Sequence, residues 1–185
     1  MKSRKILFGL FISVAIIQAT VPIYMAWHWE NILRTGQRFL WQTAPIDPYD
    51  AFKGRYVELR FKETSGPVSD AAGLPVGQTV YAIVAENAEG KAYIKEVSAQ
   101  KPETGTYIKV KAYTDSQNKA HVVLPFSRYY LPEELAPAAE SAYREHGGKN
   151  GVAAIRIKDG YGVVEQLYIG EKPLREFLRQ VPPES

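Results

Sequence analysis

A serine hydroxyl beside a desolvated lysine can act as a nucleophile–base dyad, and this chain has serines in which to look for one. Ser65, Ser69, Ser98 and Ser127 are the candidates, but none has the flanking Met and Pro of a membrane-anchored serine hydrolase of the signal-peptidase type. The lysines fall mostly on polar strand faces or in turns, where water keeps them protonated. His28, His121 and His146 are scattered and match no metal-ligand spacing. Glu133, Glu134 and Glu140 have the spacing of a paired acid and base, which is equally that of a solvated helix face. There is no glycine-rich phosphate loop and no Gly-x-Ser-x-Gly elbow. With no cysteine, disulfides, thiolate metal sites, a Cys nucleophile and a lipidated Cys are excluded. No catalytic, cofactor-binding or metal-ligating residue is therefore assigned, and the chain is expected to be a non-enzyme without a cofactor.

Recognition is the chemistry the residue types favour. Arg128, Tyr129 and Tyr130, with Tyr107 and Tyr113, make a candidate aromatic–basic surface, since tyrosine rings offer a flat apolar face with a polar edge and cations stack on them. Nucleic acid is not the expected partner. A formal net charge of +3, from 23 basic and 20 acidic residues, supplies no concentrated basic face.

The elements that must hold these residues begin with a membrane segment. Lys2, Arg4 and Lys5 precede an uncharged apolar run from Ile6 to Trp27. At about 1.5 Å rise per residue, that run reaches across a hydrocarbon core of about 30 Å. Tyr24, Trp27 and Trp29 lie at its far end, where amphipathic rings prefer the headgroup layer. A cleaved signal peptide needs small residues at −3 and −1, but cuts after Ala19 or Ala26 would place Ile17 or Tyr24 at −3. The basic residues before the span point to a cytoplasmic N-terminus. The resulting division is 1–5 cytoplasmic, 6–27 transmembrane, 28–39 a helical juxtamembrane stalk, and 40–180 a β-rich extracytoplasmic domain.

Within that domain the apolar pattern alternates with strand period. Over Arg55–Phe61, Val57, Leu59 and Phe61 share one face; over Tyr107–Tyr113, Ile108, Val110 and Ala112 do. Lys62–Gln78, rich in glycine and proline, reads as a loop. Thr79–Ala85 and Lys91–Val97 form a hairpin about Glu86–Gly90, and Ala120–Tyr130 is a strand interrupted at Pro125. Pro132–Glu145 is helical, Val152–Ile157 and Val163–Ile169 flank Lys158-Asp159-Gly160-Tyr161-Gly162 as a hairpin, and Pro173–Gln180 is a short closing helix. The expected class is α+β: a mostly antiparallel β domain with about two short helices in the C-terminal half, preceded by one transmembrane helix.

One stretch carries a resemblance. Asp47-Pro48-Tyr49-Asp50-Ala51-Phe52-Lys53-Gly54-Arg55-Tyr56-Val57-Glu58-Leu59-Arg60-Phe61 is similar to the signature of the GDYXXLXY family of bacterial membrane-anchored proteins. Pro45, Asp47, Pro48, Asp50, Lys53, Gly54, Tyr56 and Leu59 fit its pattern; Phe61 stands where the pattern ends in tyrosine, and Arg55 where it has aspartate, a reversal of charge. Arg128-Tyr129-Tyr130-Leu131-Pro132-Glu133 with Ala138-Ala139-Glu140, and Gly160–Pro173, resemble later blocks of the family in matching order. The resemblance implies a protein of the bacterial inner membrane, anchored by its N-terminal helix, with a multipass membrane protein as partner. It supplies no activity. Physically, Asp47, Pro48 and Asp50 favour a turn, Gly54 permits a bulge at strand entry, and Leu59 and Phe61 enter the core, so the block reads as mainly structural. Tyr56, on the opposite face, packs under a second layer or lines a surface. The leading functional expectation is an extracytoplasmic interaction module; the alternatives are a periplasmic small-molecule-binding domain and a membrane-anchored serine-type hydrolase.

Overall fold

The computed structural model of the chain describes residues 2–44, 56–69, 73–75, 77–143, 145 and 150–180. Helix α1 spans Lys2–Thr35, with Pro22 inside it. Its large apolar side chains, Ile6 through Trp29, are exposed rather than packed in a core. The hydroxyls within it are satisfied locally, Ser13 donating to the carbonyl of Gly9 at 3.0 Å and Thr20 to that of Ile16 at 2.8 Å. Among the described residues, this is one helix long and apolar enough to cross a membrane.

The strands follow as β1 (Gln37–Ala44), β2 (Tyr56–Glu58), β3 (Arg60–Phe61), β4 (Ser65–Pro67), β5 (Val80–Glu86), β6 (Ala92–Ser98), β7 (Thr106–Thr114), β8 (Lys119–Val123) and β9 (Arg128–Tyr130). A 3-10 turn at Glu133–Leu135 leads into α2 (Ala136–Ala142). Then come β10 (Gly151–Lys158), β11 (Tyr161–Ile169), β12 (Lys172–Pro173) and α3 (Leu174–Gln180). One sheet has the order β12-β11-β10-β1-β3, a second β4-β8-β7-β5-β6, and β2 and β9 form a ribbon of their own. All of these pairings are antiparallel, so the expected class holds: an apolar N-terminal helix, then antiparallel sheets with short helices late in the chain.

Local sequence accounts for the clearest turns. Asp159 and Gly160 both have positive φ, 54° and 85°, which matches a two-residue hairpin turn to the right-handed twist of β10 and β11. Asp115 organises the β7–β8 turn by accepting from the backbone N–H groups of Gln117 and Lys119. The second sheet curls until its edge strands meet: Val68 bridges Val97, and Ser69 N–H donates to the Val97 carbonyl at 3.0 Å. A core containing Trp41, Leu59, Ile94, Ile108, Ile155 and Leu167 fills the space between the layers.

Several expectations need correction. The helix expected over His28–Phe39 stops at Thr35, and Gln37 opens β1, which pairs along β10 from Gln37–Ile157 to Gln42–Val152. Ile32 is buried, Lys158 Nζ donates to Thr35 Oγ1 at 2.7 Å, and Arg156 donates to the Gly36 carbonyl at 3.1 Å, so the helix end is built into the sheet. The strand expected over Arg55–Phe61 divides at Leu59: β2 pairs with β9, a ladder that Leu59 extends by donating its N–H to the Ser127 carbonyl at 2.7 Å, and β3 then pairs with β1. Ala120–Tyr130 divides around Pro125 as expected, with β8 and β9 joining different sheets. The Lys62–Gln78 loop contains strand β4, whose Gly66 lies against Ile94 too closely for a Cβ, at 2.8 Å from the Ile94 side chain.

Candidate recognition surface

The ribbon of β2 and β9 places an exposed aromatic–basic cluster. Tyr56 stands directly opposite Tyr130 and Glu58 opposite Arg128. The two tyrosine rings are 5.6 Å apart at 60°, a cross-strand aromatic pair. The Arg128 guanidinium lies diagonally over the Tyr56 ring, 4.7 Å from its centroid. Its pKa is pushed up further, first by the hydrogen bond to the Tyr130 hydroxyl and then by Tyr56. Tyr130 is 63% exposed.

Beside this cluster runs an open groove of about 480 Å³, lined by Pro125, Phe126, Ser127, Arg128, Tyr129, Tyr130, Gly162, Val163 and Val164. Its floor depends on Gly162, where a Cβ would come within 2.5 Å of the Phe126 ring. Phe126 is buried and packs edge-on against Phe61 at 5.6 Å and tilted against Trp41 at 6.0 Å. Trp41 is fixed in turn by donating Nε1–H to the Lys62 carbonyl at 2.8 Å.

The antiparallel register makes both walls strand edges. Leu59 N–H bonds Ser127, so Leu59–Ser127 and Val57–Tyr129 take the hydrogen-bonded positions, and the peptide groups of Arg128 and Tyr130 point away from β2. Across the groove, the two-residue turn makes Lys158–Tyr161 the closing hydrogen-bonded pair, which turns the peptide groups of Gly162 and Val164 away from β10.

The expected surface residues do not all gather here. Arg128 and Tyr130 meet, with Tyr56 as the member that sequence reading left undecided. Tyr129 points the other way and is buried; burial raises its pKa, against the lowering effects of Arg175 and Gln166. Tyr107 packs edge-on against Tyr81 at 5.6 Å, with Lys101 Nζ 5.8 Å from its centroid. Tyr113 is exposed and stacks on His121 at 5.1 Å. Of the motif residues, Leu59 is buried and Phe61 packs against the core, while Asp47, Pro48, Asp50 and Gly54 lie outside the described residues.

The chemistry-bearing side chains are dispersed as well. His28 packs against Tyr24, Trp29 and Tyr161, Glu134 is exposed, and His146 and the side chains of Glu133 and Glu140 lie outside what is described. Ser69 Oγ donates to the Val97 carbonyl at 3.2 Å, and Ser98 Oγ accepts from Gln100 N–H at 3.0 Å. Ser65 sits across the strand pair from His121, whose Nε2 is 2.9 Å from Asp115 Oδ2. Sequence reading missed this arrangement, because it depends on the pairing of β4 with β8. Among the described residues, no group of three His, Asp or Glu side chains converges on a metal-sized site.

Fold and surface together define a β-rich domain carried on an N-terminal helix of membrane-spanning length and composition. The chain belongs to the GDYXXLXY protein family, whose model matches residues 18–167, from the middle of α1 through most of β11. No curated protein and no solved structure matches it.

Proposed function

We propose that this chain is a single-pass interaction module of a bacterial inner membrane, its β domain on the extracytoplasmic side, that binds a multipass membrane protein through the groove beside Arg128 and Tyr130. The observation that carries this reading is the pairing of two strand edges with an exposed cation–aromatic cluster on one open groove. Strand edges offer backbone hydrogen bonds to an extended segment, and a fixed arginine offers charge selectivity for a carboxylate on it. The basic residues Lys2, Arg4 and Lys5 before the span support the orientation. Photocrosslinking from position 130 in native membranes tests the reading. A discrete adduct with one multipass protein, lost on Arg128→Ala, is expected. Adducts only with lipid, or a tightly retained small molecule in the purified chain, would sink it; the latter would favour the small-molecule alternative.

A hydrolase is the second reading, and it rests on Ser65, His121 and Asp115 alone. His121 gives its Nε2 to Asp115 and is stacked under Tyr113, which suits a turn clamp as well as a base. A fluorophosphonate probe distinguishes them: stoichiometric labelling of Ser65 would favour the hydrolase.

A further inference from the structure

The turn between β10 and β11 runs back beside the end of α1, and its first strand residue, Tyr161, meets the helix. The Tyr161 ring is 5.2 Å from the ring of His28 and 6.0 Å from that of Trp29, edge-on to both. On its other side, Lys109 Nζ lies 4.6 Å from its centroid. The turn is held against β7 as well: Lys109 N–H donates to the Gly160 carbonyl at 2.9 Å, and a Cβ on Gly160 would come within 2.7 Å of the Lys109 side chain.

These contacts fix a depth. Trp27 ends the uncharged run, and Trp29 is only about 3 Å further along the helix axis. The headgroup region on each side of a bilayer is roughly 5–8 Å thick. A ring level with His28 and Trp29 therefore lies inside that layer when α1 spans the membrane. Trp27 and Trp29 are exposed on the helix at this level, with Tyr24 exposed about one turn before them, which extends the aromatic belt onto the domain. The charges fit phosphate: Lys109 lies at the Tyr161 ring, Asp159 is the acidic residue of the turn, and Glu30 is already paired with Arg34 at 2.6 Å, while Lys158 ties the turn to Thr35.

We propose that the β10–β11 turn and the adjoining part of β7 form a foot that rests in the phospholipid headgroup layer, with Tyr161 among the glycerol and headgroup carbons and Lys109 on lipid phosphate. The foot, together with the direct passage of α1 into β1, holds the domain at one angle to the bilayer. This rests on the reading of α1 as a span.

The chain lacks cysteine, so a single nitroxide label reports without background. The full chain is reconstituted in phosphatidylcholine–phosphatidylglycerol vesicles as Tyr161→Cys or, in the β7–β8 turn, Gln117→Cys. Parallel alignment of β7 with β11 at the Ile108–Gly160 bridge puts Gln117 at the end of β7 away from the foot. The label at 161 is expected to be several-fold less accessible to a water-soluble nickel chelate than the label at 117, and more accessible to lipid-dissolved oxygen. Equal aqueous access at both positions, with the chain resisting carbonate extraction, overturns the foot and leaves the span intact. Extraction by carbonate overturns the span, and the foot with it. The unmodified chain gives a second measurement with a phospholipid photoreactive at its headgroup. Adducts within 158–161 support the foot; adducts confined to α1 overturn it.

Discussion

Gly36 faces the backbone of Ile157 so closely that a Cβ on it would stand 3.1 Å from both the nitrogen and the oxygen of Ile157. The same Cβ would be 2.6 Å from the carbonyl oxygen of Ile32, the group that accepts the Gly36 N–H at 2.8 Å and closes the helix. One residue thus ends α1, starts β1 and seats the junction on β10. Its φ is not in the left-handed region, so the demand on glycine here is for space rather than for backbone freedom.

Gly36→Ala is therefore expected to destabilise the domain by about 1–3 kcal/mol, the range for forcing an extra carbon against packed backbone. Chemical unfolding of the full chain in detergent micelles, followed by near-ultraviolet dichroism of the buried Trp41, measures it. A variant as stable as the parent would mean that helix and sheet are joined more loosely than the geometry shows.

In the signature block, Leu59 and Tyr56 should behave differently. Leu59 is 3% exposed and at the point where the strand changes partner, so Leu59→Ala is expected to cost about 2–5 kcal/mol. Tyr56 is half-buried and its ring carries the contacts to Tyr130 and Arg128, so Tyr56→Phe should stay within about 0.5 kcal/mol of the parent. The same unfolding assay compares them. A large loss for Tyr56→Phe would mean that its hydroxyl, not its ring, does the bonding.

Acid should weaken the first sheet through Glu165. Burial pushes its carboxyl pKa up, but the hydrogen bonds from Arg156 at 2.8 Å and Arg38 at 2.9 Å outweigh that and hold it below the usual range. A lowered folded-state pKa gives stability that is full above the unfolded value of about 4.3 and is lost as pH falls through the folded one. Stability is expected to be level near neutrality and to fall below about pH 5. Glu165→Gln should be less stable at pH 7 and should lose part of that acid slope. Asp115, also lowered, chiefly by His121, retains its share of the slope in that variant. An unchanged slope in Glu165→Gln would refute the assignment.

What the residues made legible follows from range. The β10–β11 hairpin could be read because Asp159-Gly160 dictates its own turn, and β7 because Ile108, Val110 and Ala112 alternate over a long strand. The N-terminal helix of membrane-spanning length was legible from its length and hydropathy. The start of β1 was not: Gln37-Arg38-Phe39 continues a helical stretch with no proline, and only pairing with Ile157, Arg156 and Ile155 makes it a strand. The change of partner at Leu59 leaves no local mark either, since both halves keep the alternation. The grouping of Tyr56 with Arg128 and Tyr130 needed the register of β2 on β9, and nothing in either segment announces which strand it joins.

Arg128 separates binding from folding most sharply. Its guanidinium lies on the Tyr56 ring at the surface, and no buried group depends on it for a partner among the described contacts. Arg128→Ala should therefore change stability by no more than about 0.5 kcal/mol, as for an ordinary surface site. Its effect on the crosslinked adduct should be large. Loss of a charge-assisted, ring-supported hydrogen bond to a partner carboxylate is worth about 1.5–3 kcal/mol, a roughly 10- to 150-fold drop in affinity. Arg128→Lys keeps the charge but loses the planar fork that both stacks on Tyr56 and bonds in two places, so it should recover only part of the adduct. Adduct yields from these two variants, each normalised to membrane-inserted protein, test the groove directly. Full yield from Arg128→Ala would leave the cluster as surface packing and move the search for the partner's contact elsewhere on the domain.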